Sequence, residues 1–225
     1  MHTGVLSGVI EEIEHTKNFF DINKKVLDET GVVVCNGFGR NLGYEDIYNH
    51  LTKPKKTYLL KGGEGEILAM ASYSHEVFAE IPTLVVEGIS VSQKMQGKGI
   101  FREITDLAIY EDEALIALRT QNPFMLKALK NYCPETYPDK VKKTPKLILE
   151  VRNAFAEYLN CKINEKGVVK EYYGGLFYGT EPVHKEMSEF LKNDLEMDLY
   201  KGDAVLVIGS VNIKYKPKEE RADPY

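Results

Sequence analysis

Lys98 and Arg102 stand about one helical turn apart in the run Gln96-Gly97-Lys98-Gly99-Ile100-Phe101-Arg102. An alternating apolar stretch, Val85, Ile89 and Val91, leads into it, and Ile104, Leu107 and Ala108 follow Ile100 at helical spacing. The expected order is strand, glycine turn, helix N-terminus. The first turn of a helix has N–H groups with no intrahelical acceptor, and the macrodipole favours negative charge there. Gly97 and Gly99 permit positive φ and leave the main chain open to a ligand. First turns ordinarily hold carboxylates; this one holds two cations, and its first carboxylate is Glu103. Two cations at that end are unfavourable unless an anion sits among them. A phosphate or diphosphate resolves the conflict, whereas a glycine-rich connection that binds nothing leaves the cations unexplained.

This segment resembles motif A of the GNAT superfamily of N-acetyltransferases, Q/R-x-x-G-x-G/A. Gln96 and Gly99 match, and Phe101 departs from the usual Gly or Ala, so its ring must turn away from a ligand. The resemblance spans roughly residues 15 to 138. It implies an α/β fold with a GNAT-like mixed, mostly antiparallel central sheet flanked by helices. It also implies acetyl-CoA as cosubstrate and transfer of the acetyl group to a primary amine by direct attack; the five histidines show no metal pattern, so no metal is expected. The diphosphate of the cosubstrate would lie on Gln96, Gly97, Lys98, Gly99, Ile100, Phe101 and Arg102. Its pantetheine arm would run along Ile89, Ser90 and Val91, with Asn122 as a further contact or merely a helix cap. The glutamate that many family members direct at the acceptor falls on Glu87. That residue shares a strand face with Ile89 and Val91, and burial in an apolar row would raise its pKa and suit it to be a base. A family tyrosine that protonates the leaving sulfur falls on Tyr132. It lies ten residues after Asn122, where seven is usual; position 129 is Leu129, and Tyr137 competes.

Two other readings stay open. One is a non-catalytic module that binds CoA or acyl-CoA and regulates a partner. The other is a dinucleotide site, since Val32 to Cys35 followed by Gly37-Phe38-Gly39 and Gly43 imitates a strand and its glycine fingerprint. Against it, the next helix is cut short near Thr52-Lys53-Pro54, and the following strand ends at Lys61 with no acidic residue for a ribose. His75-Glu76 is half of a zinc-protease motif with no second histidine at the required spacing.

The elements that must position these residues follow from periodicity and punctuation. Thr16 is placed to cap a helix carrying Phe19, Phe20, Ile22, Val26 and Leu27, and Val32 to Cys35 suggests a short strand. A short helix over 44–51, a hairpin from Thr57 to Tyr73 about Gly62 to Gly65, and a strand over 84–91 come next. Another strand over 114–118 precedes Asn122-Pro123, a cap and a first-turn proline for a helix with Met125, Ala128, Leu129 and Tyr132 on one face. Beyond Pro138 the chain suggests a helix with Ile148, Val151, Phe155 and Leu159, then strands at 168–173 and 204–211. A helix with Val183, Met187, Phe190, Leu191 and Leu195 falls between those strands. The expected partition is a core over 1–138, an α+β C-terminal lobe over 139–213 that completes the sheet or the acceptor pocket, and a loose charged tail over 214–225. Tyr172, Tyr173, Phe177 and Tyr178 gather about Gly174-Gly175, as core of that lobe or as a pocket wall.

Length and composition set outer limits. The 225 residues suffice for one sizeable core, with 43% hydrophobic and 28% charged residues and a net charge of −5. That charge argues against nucleic acid as partner. Cys35, Cys133 and Cys161 are odd in number and form no CxxC pair, so neither a disulfide framework nor a zinc site is expected. Glu11 and Glu12 break the N-terminal apolar run, and no stretch approaches the ~20 apolar residues of a membrane span. The expectation is a cytoplasmic protein with a small-molecule or peptide amine substrate and no membrane partner. The acceptor is left open among small amines, polyamines, antibiotics, protein N-termini and lysines, and a homodimer is compatible with the chain.

Overall fold

The computed structural model of the chain describes residues 8–211; the tail expected over 214–225 falls outside them. Among the described residues, alternating and continuous apolar runs become eight strands, β1 (Gly8–Glu14), β2 (Lys56–Gly62), β3 (Ile67–Phe78), β4 (Ile81–Val91), β5 (Leu115–Thr120), β6 (Glu135–Tyr137), β7 (Val168–Val169) and β8 (Ala204–Ser210). Seven α-helices accompany them: α1 (Thr16–Ile22), α2 (Lys24–Phe38), α3 (Tyr44–Thr52), α4 (Ile100–Ala108), α5 (Pro123–Tyr132), α6 (Lys146–Tyr158) and α7 (Lys185–Glu189). The strand order is β1-β2-β3-β4-β5-β8-β6, with β7 on β8. The fold class is α/β: a mixed, mostly antiparallel sheet flanked by helices.

The chain divides into two compact units. One runs to Ser74 and includes Val86–Ile109 and Tyr178–Thr180; the other comprises His75–Val85, Tyr110–Phe177 and the chain from Glu181. Strands β3 and β4 contribute residues to both.

In the first unit β1 pairs antiparallel with β2 from Gly8↔Gly62 to Glu14↔Lys56, and β2 pairs antiparallel with β3. The sequence reading has no strand at β1, because Glu11, Glu12 and Glu14 disguise it. Those carboxylates suit an edge: Lys56 bonds Glu12 at 2.6 Å, and Lys61 forms an ion pair with Glu11 at 2.7 Å. The core gathers Ile13, Phe20, Leu27, Val33, Val34, Leu51, Leu59, Ile67 and Met70.

Two expectations fail here. Val32 to Cys35 is not a strand but the middle of α2, whose buried residues Leu27, Thr30, Gly31, Val33 and Val34 follow helical spacing; Val32 is 59% exposed. Burial of an amphipathic face has outweighed the β propensity of three valines. With no strand ahead of Gly37, and Gly37 itself inside the helix, the dinucleotide reading loses its geometry. Thr16 does not cap α1 either. Its hydroxyl donates to the carbonyls of Thr52 and Pro54, tying α1 to the end of α3.

In the second unit β8 pairs antiparallel with β5 over six residues, with β6 over three and with β7 over two. Ile148, Val151 and Phe155 of α6 pack with Leu206 and Ile208 of β8 and Tyr137 of β6 in one core cluster. Asn122 caps α5, its Oδ1 accepting from Phe124 N at 2.9 Å, with Pro123 at the first position. The buried face of α5 is Pro123, Leu126 and Leu129, displaced from the expected Met125, Ala128, Leu129 and Tyr132.

The strand expected through Tyr173 stops at Val169, since the backbone turns where the buried Asp203 carboxylate accepts the Glu171 amide. The helix expected from Val183 is α7 continued by a π-helical turn, Phe190–Asp194, and Val183 lies exposed ahead of it. Tyr172, Tyr173 and Phe177 pack on one another, with centroids 4.9 Å apart in each consecutive pair. No disulfide joins the three cysteines, all of which lie among the described residues.

Candidate functional site

The main chain from β4 to α4 builds the turn. Ser92 N donates to Leu68 O at 2.9 Å, which holds the end of β4 beside the start of β3. A 3₁₀ turn, Gln93–Met95, follows, then Gln96 in an extended conformation. Gly97 and Gly99 have φ of 74° and 84°, and Gly99 carries the chain into α4, its carbonyl accepting from Glu103 N at 3.2 Å. Left-handed φ at both positions is what makes glycine necessary here. Nothing lies within 4 Å of where a Cβ would stand on either residue. The Gln96 side chain folds back, its Nε2 donating to Val91 O at 3.1 Å.

Among the described residues no acceptor takes the amides of Gly97, Lys98, Gly99 and Ile100. Lys98 and Arg102 are exposed beside them, and Lys98 makes only a long contact to Met95 Sδ. Helix α4 is anchored from below by buried Ile100, Ile104 and Ala108. Thr105 Oγ1 donates to Phe101 O and shares a hydrogen bond with the buried hydroxyl of Tyr73, 3.0 Å away. Burial pushes the Tyr73 phenol far above its ordinary pKa, so it stays neutral as a structural link. Phe101 is half-buried, and Leu107, expected on the core face, is 56% exposed.

Along β4 the expected row of Glu87, Ile89 and Val91 is half-buried. The buried face holds Val86 and Ser90. Ser90 Oγ donates to Val33 O at 3.0 Å, which couples β4 to α2. Gly37 of α2 makes this approach possible, because a Cβ on it would collide with Ser90 Oγ and come within 3.3 Å of Val91 N. Gly37→Ala should therefore destabilise the protein by about 1–3 kcal/mol, by overpacking a strand against a helix. Urea unfolding measures this, and an unchanged midpoint would mean the contact relaxes without cost.

Two residues here escaped the sequence reading. His50 of α3 lies against Gly88, where a Cβ would collide with its Nε2, and Phe38 meets the ring edge-on at 6.4 Å between centroids. Ser92 Oγ is buried with no hydrogen-bond partner, one residue past β4. Neither carried a motif; only the fold brings His50 to β4.

The structure thus gathers Glu87, Ile89, Ser90, Val91 and the whole 96–102 turn in one unit. Asn122 and Tyr132 belong to the other, at opposite ends of α5, with Asn122 occupied as a cap and Tyr132 half-buried. Among the described residues no group of three or more His, Cys, Asp or Glu side chains could hold a metal. No helix among them is long and apolar enough to cross a membrane.

No family model matches the chain, and no curated protein matches it in sequence. Solved structures similar to it include the IAA acetyltransferase from Bacillus cereus, at 15% identity and a TM-score of 0.45, covering 91% of this chain and 99% of that one. The ribosomal-protein-S18-alanine N-acetyltransferase from Escherichia coli is similar at 13% identity and a TM-score of 0.44, covering 92% and 95%. A GCN5-related glucosamine N-acetyltransferase region of a fungal multi-domain beta-N-acetylglucosaminidase is similar at 17% identity and a TM-score of 0.43. That match covers 75% of this chain, which spans 18% of that protein's length.

Proposed function

We propose that the chain is a GNAT-type N-acetyltransferase that moves an acetyl group from acetyl-CoA to a primary amine. The observation that carries this reading is the row of unpaired amides from Gly97 to Ile100, opening a helix flanked by Lys98 and Arg102. Such a turn fits a diphosphate: amides and cations converge, and no Cβ obstructs the approach at either glycine. Acetyl-CoA supplies an activated acyl group as a thioester.

The protein's own residues supply position and proton transfer. The backbone of Ile89, Ser90 and Val91 lines up the pantetheine arm, and a strand amide there stabilises charge on the thioester oxygen. Glu87 takes a proton from the ammonium so that neutral nitrogen attacks the carbonyl carbon. The C–N bond forms and the C–S bond breaks; the leaving thiolate takes a proton from Tyr132, and the second proton shed by the nitrogen restores that hydroxyl. Asn122 is a further pantetheine contact in this scheme. The substrate is a small-molecule or peptide amine in the cytoplasm, with neither nucleic acid nor membrane involved.

The test is release of free thiol from acetyl-CoA across a panel of amines, with CoA binding followed by calorimetry on the same protein. Turnover with at least one amine supports the reading. Binding without turnover would favour a regulatory CoA module, and no CoA binding at all ends it. Lys98→Ala should weaken CoA about twofold to fivefold, a small effect because the ammonium is solvent-exposed. An unchanged dissociation constant would place the diphosphate elsewhere.

A further inference from the structure

Arg152, on the inner face of α6, is 2% exposed. A guanidinium that leaves water ordinarily meets a carboxylate, because an unpaired buried charge is costly. Here the described residues offer none. The single hydrogen bond of Arg152 runs from Nη2 to the backbone oxygen of Glu165 at 3.0 Å, and its Nε–H is buried with no acceptor. Gly167 makes room for the group: φ is 81°, and a Cβ there would stand 2.6 Å from Nη1. The sequence has therefore kept a place for a buried cation without keeping an anion beside it.

Arg152 lines a cavity of about 320 Å³ in the second unit. Lys140, Lys142, Lys143 and Lys166 also line it. Three carboxyl-bearing residues share the wall, and each is occupied or turned to solvent. Asp139 accepts the amides of Val141 and Lys142 and the Lys130 ammonium. Burial works to raise its pKa, and these bonds outweigh burial and hold it at about 2, so Asp139 is a committed anion with its own partners. Asp194 faces Lys140 at 3.8 Å, and Glu165 is exposed. Lys142 is engaged by Glu135 and Lys166 by Glu196, while Lys143 has no partner among the described residues. Phe190, Asp194 and Leu195 close the space with the π-helical turn that continues α7, a rare geometry often found beside functional sites.

We infer that this cavity binds a compact dianion, a phosphate or a small dicarboxylate, on the buried guanidinium of Arg152 with Lys143 and Lys140 at its mouth. The fork of a guanidinium matches either oxyanion in bidentate fashion, and the lysines add charge without fixed geometry. The site is separate from the 96–102 turn and stands whether or not the chain transfers acyl groups.

The test uses the full chain with inorganic phosphate and, separately, malonate, each against sodium chloride at equal ionic strength. Thermal unfolding should rise saturably with one or both dianions, by about 5 °C at a hundredfold excess over the dissociation constant. The dianion that saturates at the lower concentration identifies the head group. Arg152→Met should unfold no earlier than the wild type without anion, since it removes an uncompensated charge, and should lose the response. A response in Arg152→Met as large as that of the wild type assigns the dianion to another place, such as the 96–102 turn, and overturns the inference, as does a wild-type shift no larger than that of chloride. If Arg152→Met does not fold, Lys140→Ala/Lys143→Ala decides: the dissociation constant should rise on the order of tenfold, and an unchanged value refutes the site.

Discussion

Glu87→Gln should lower turnover of acetyl-CoA with an amine by about 10²–10⁴-fold, the range expected for loss of a general base. The dissociation constant for CoA should stay within about twofold, because the amide keeps the shape of the side chain and the proposed cofactor contacts begin at Ile89. The position carries the argument: Glu87 precedes the proposed pantetheine-binding stretch on β4 and is only half-buried. The ammonium must lose its proton before its lone pair can attack, and Glu87 is the one carboxylate in the sequence from Leu84 to Gln96. A general base also predicts that turnover in the variant recovers as pH rises and the amine deprotonates by itself. Equal turnover in Glu87→Gln and the wild type at pH 7 would remove Glu87 from the mechanism.

Asp203→Ala should cost about 3–5 kcal/mol of stability, from two amide bonds to a charged acceptor and the loss of their buried partner. The Asp203 carboxylate is 1% exposed and accepts the amides of Asp198 at 2.9 Å and Glu171 at 3.0 Å, with the Lys170 ammonium at 2.8 Å. It holds the bend after β7 and the start of β8 together. Burial acts to raise its pKa, and the Asp198 amide, Lys170 and the Glu171 amide outweigh burial and hold it below the ordinary value. A depressed folded-state pKa means that the stabilisation is complete above the unfolded value of about 3.9 and is lost as pH falls through the folded one. The gap between wild type and variant should thus be constant from pH 7 to 5 and shrink below about pH 4. Urea unfolding at pH 7, 5 and 3 measures it, and a gap unchanged at pH 3 would exclude an ionised Asp203 as its source.

The sequence was most legible where local chemistry and tertiary demand agree. Asn122-Pro123 starts α5 as cap and first turn, and the two glycines before Ile100 produce the left-handed φ values that their residue type allows. It was least legible where long-range packing decided. Val32 to Cys35 has the composition of a strand, yet its neighbours Leu27, Thr30 and Gly31 give α2 a helical face that Phe20 and Leu51 bury. The carboxylates of β1 hide a strand whose pairing with Lys56 and Lys61 becomes visible only in register. Gly37 looked like part of a phosphate loop, and its actual role is to let α2 touch Ser90. His50 and Arg152 carry no motif, and their surroundings come from residues far away in sequence.

The position of β8 has a consequence for how the polypeptide matures. Strand β8 is the last of the described strands to leave the ribosome, yet it lies between β5 and β6 and also bears β7. Until residues 204–210 are translated, those three earlier segments have no common partner, and their hydrophobic faces wait uncovered. Premature termination before Ala204 would not shorten this half of the molecule. It would leave it without its organising strand, a product for chaperones and proteases.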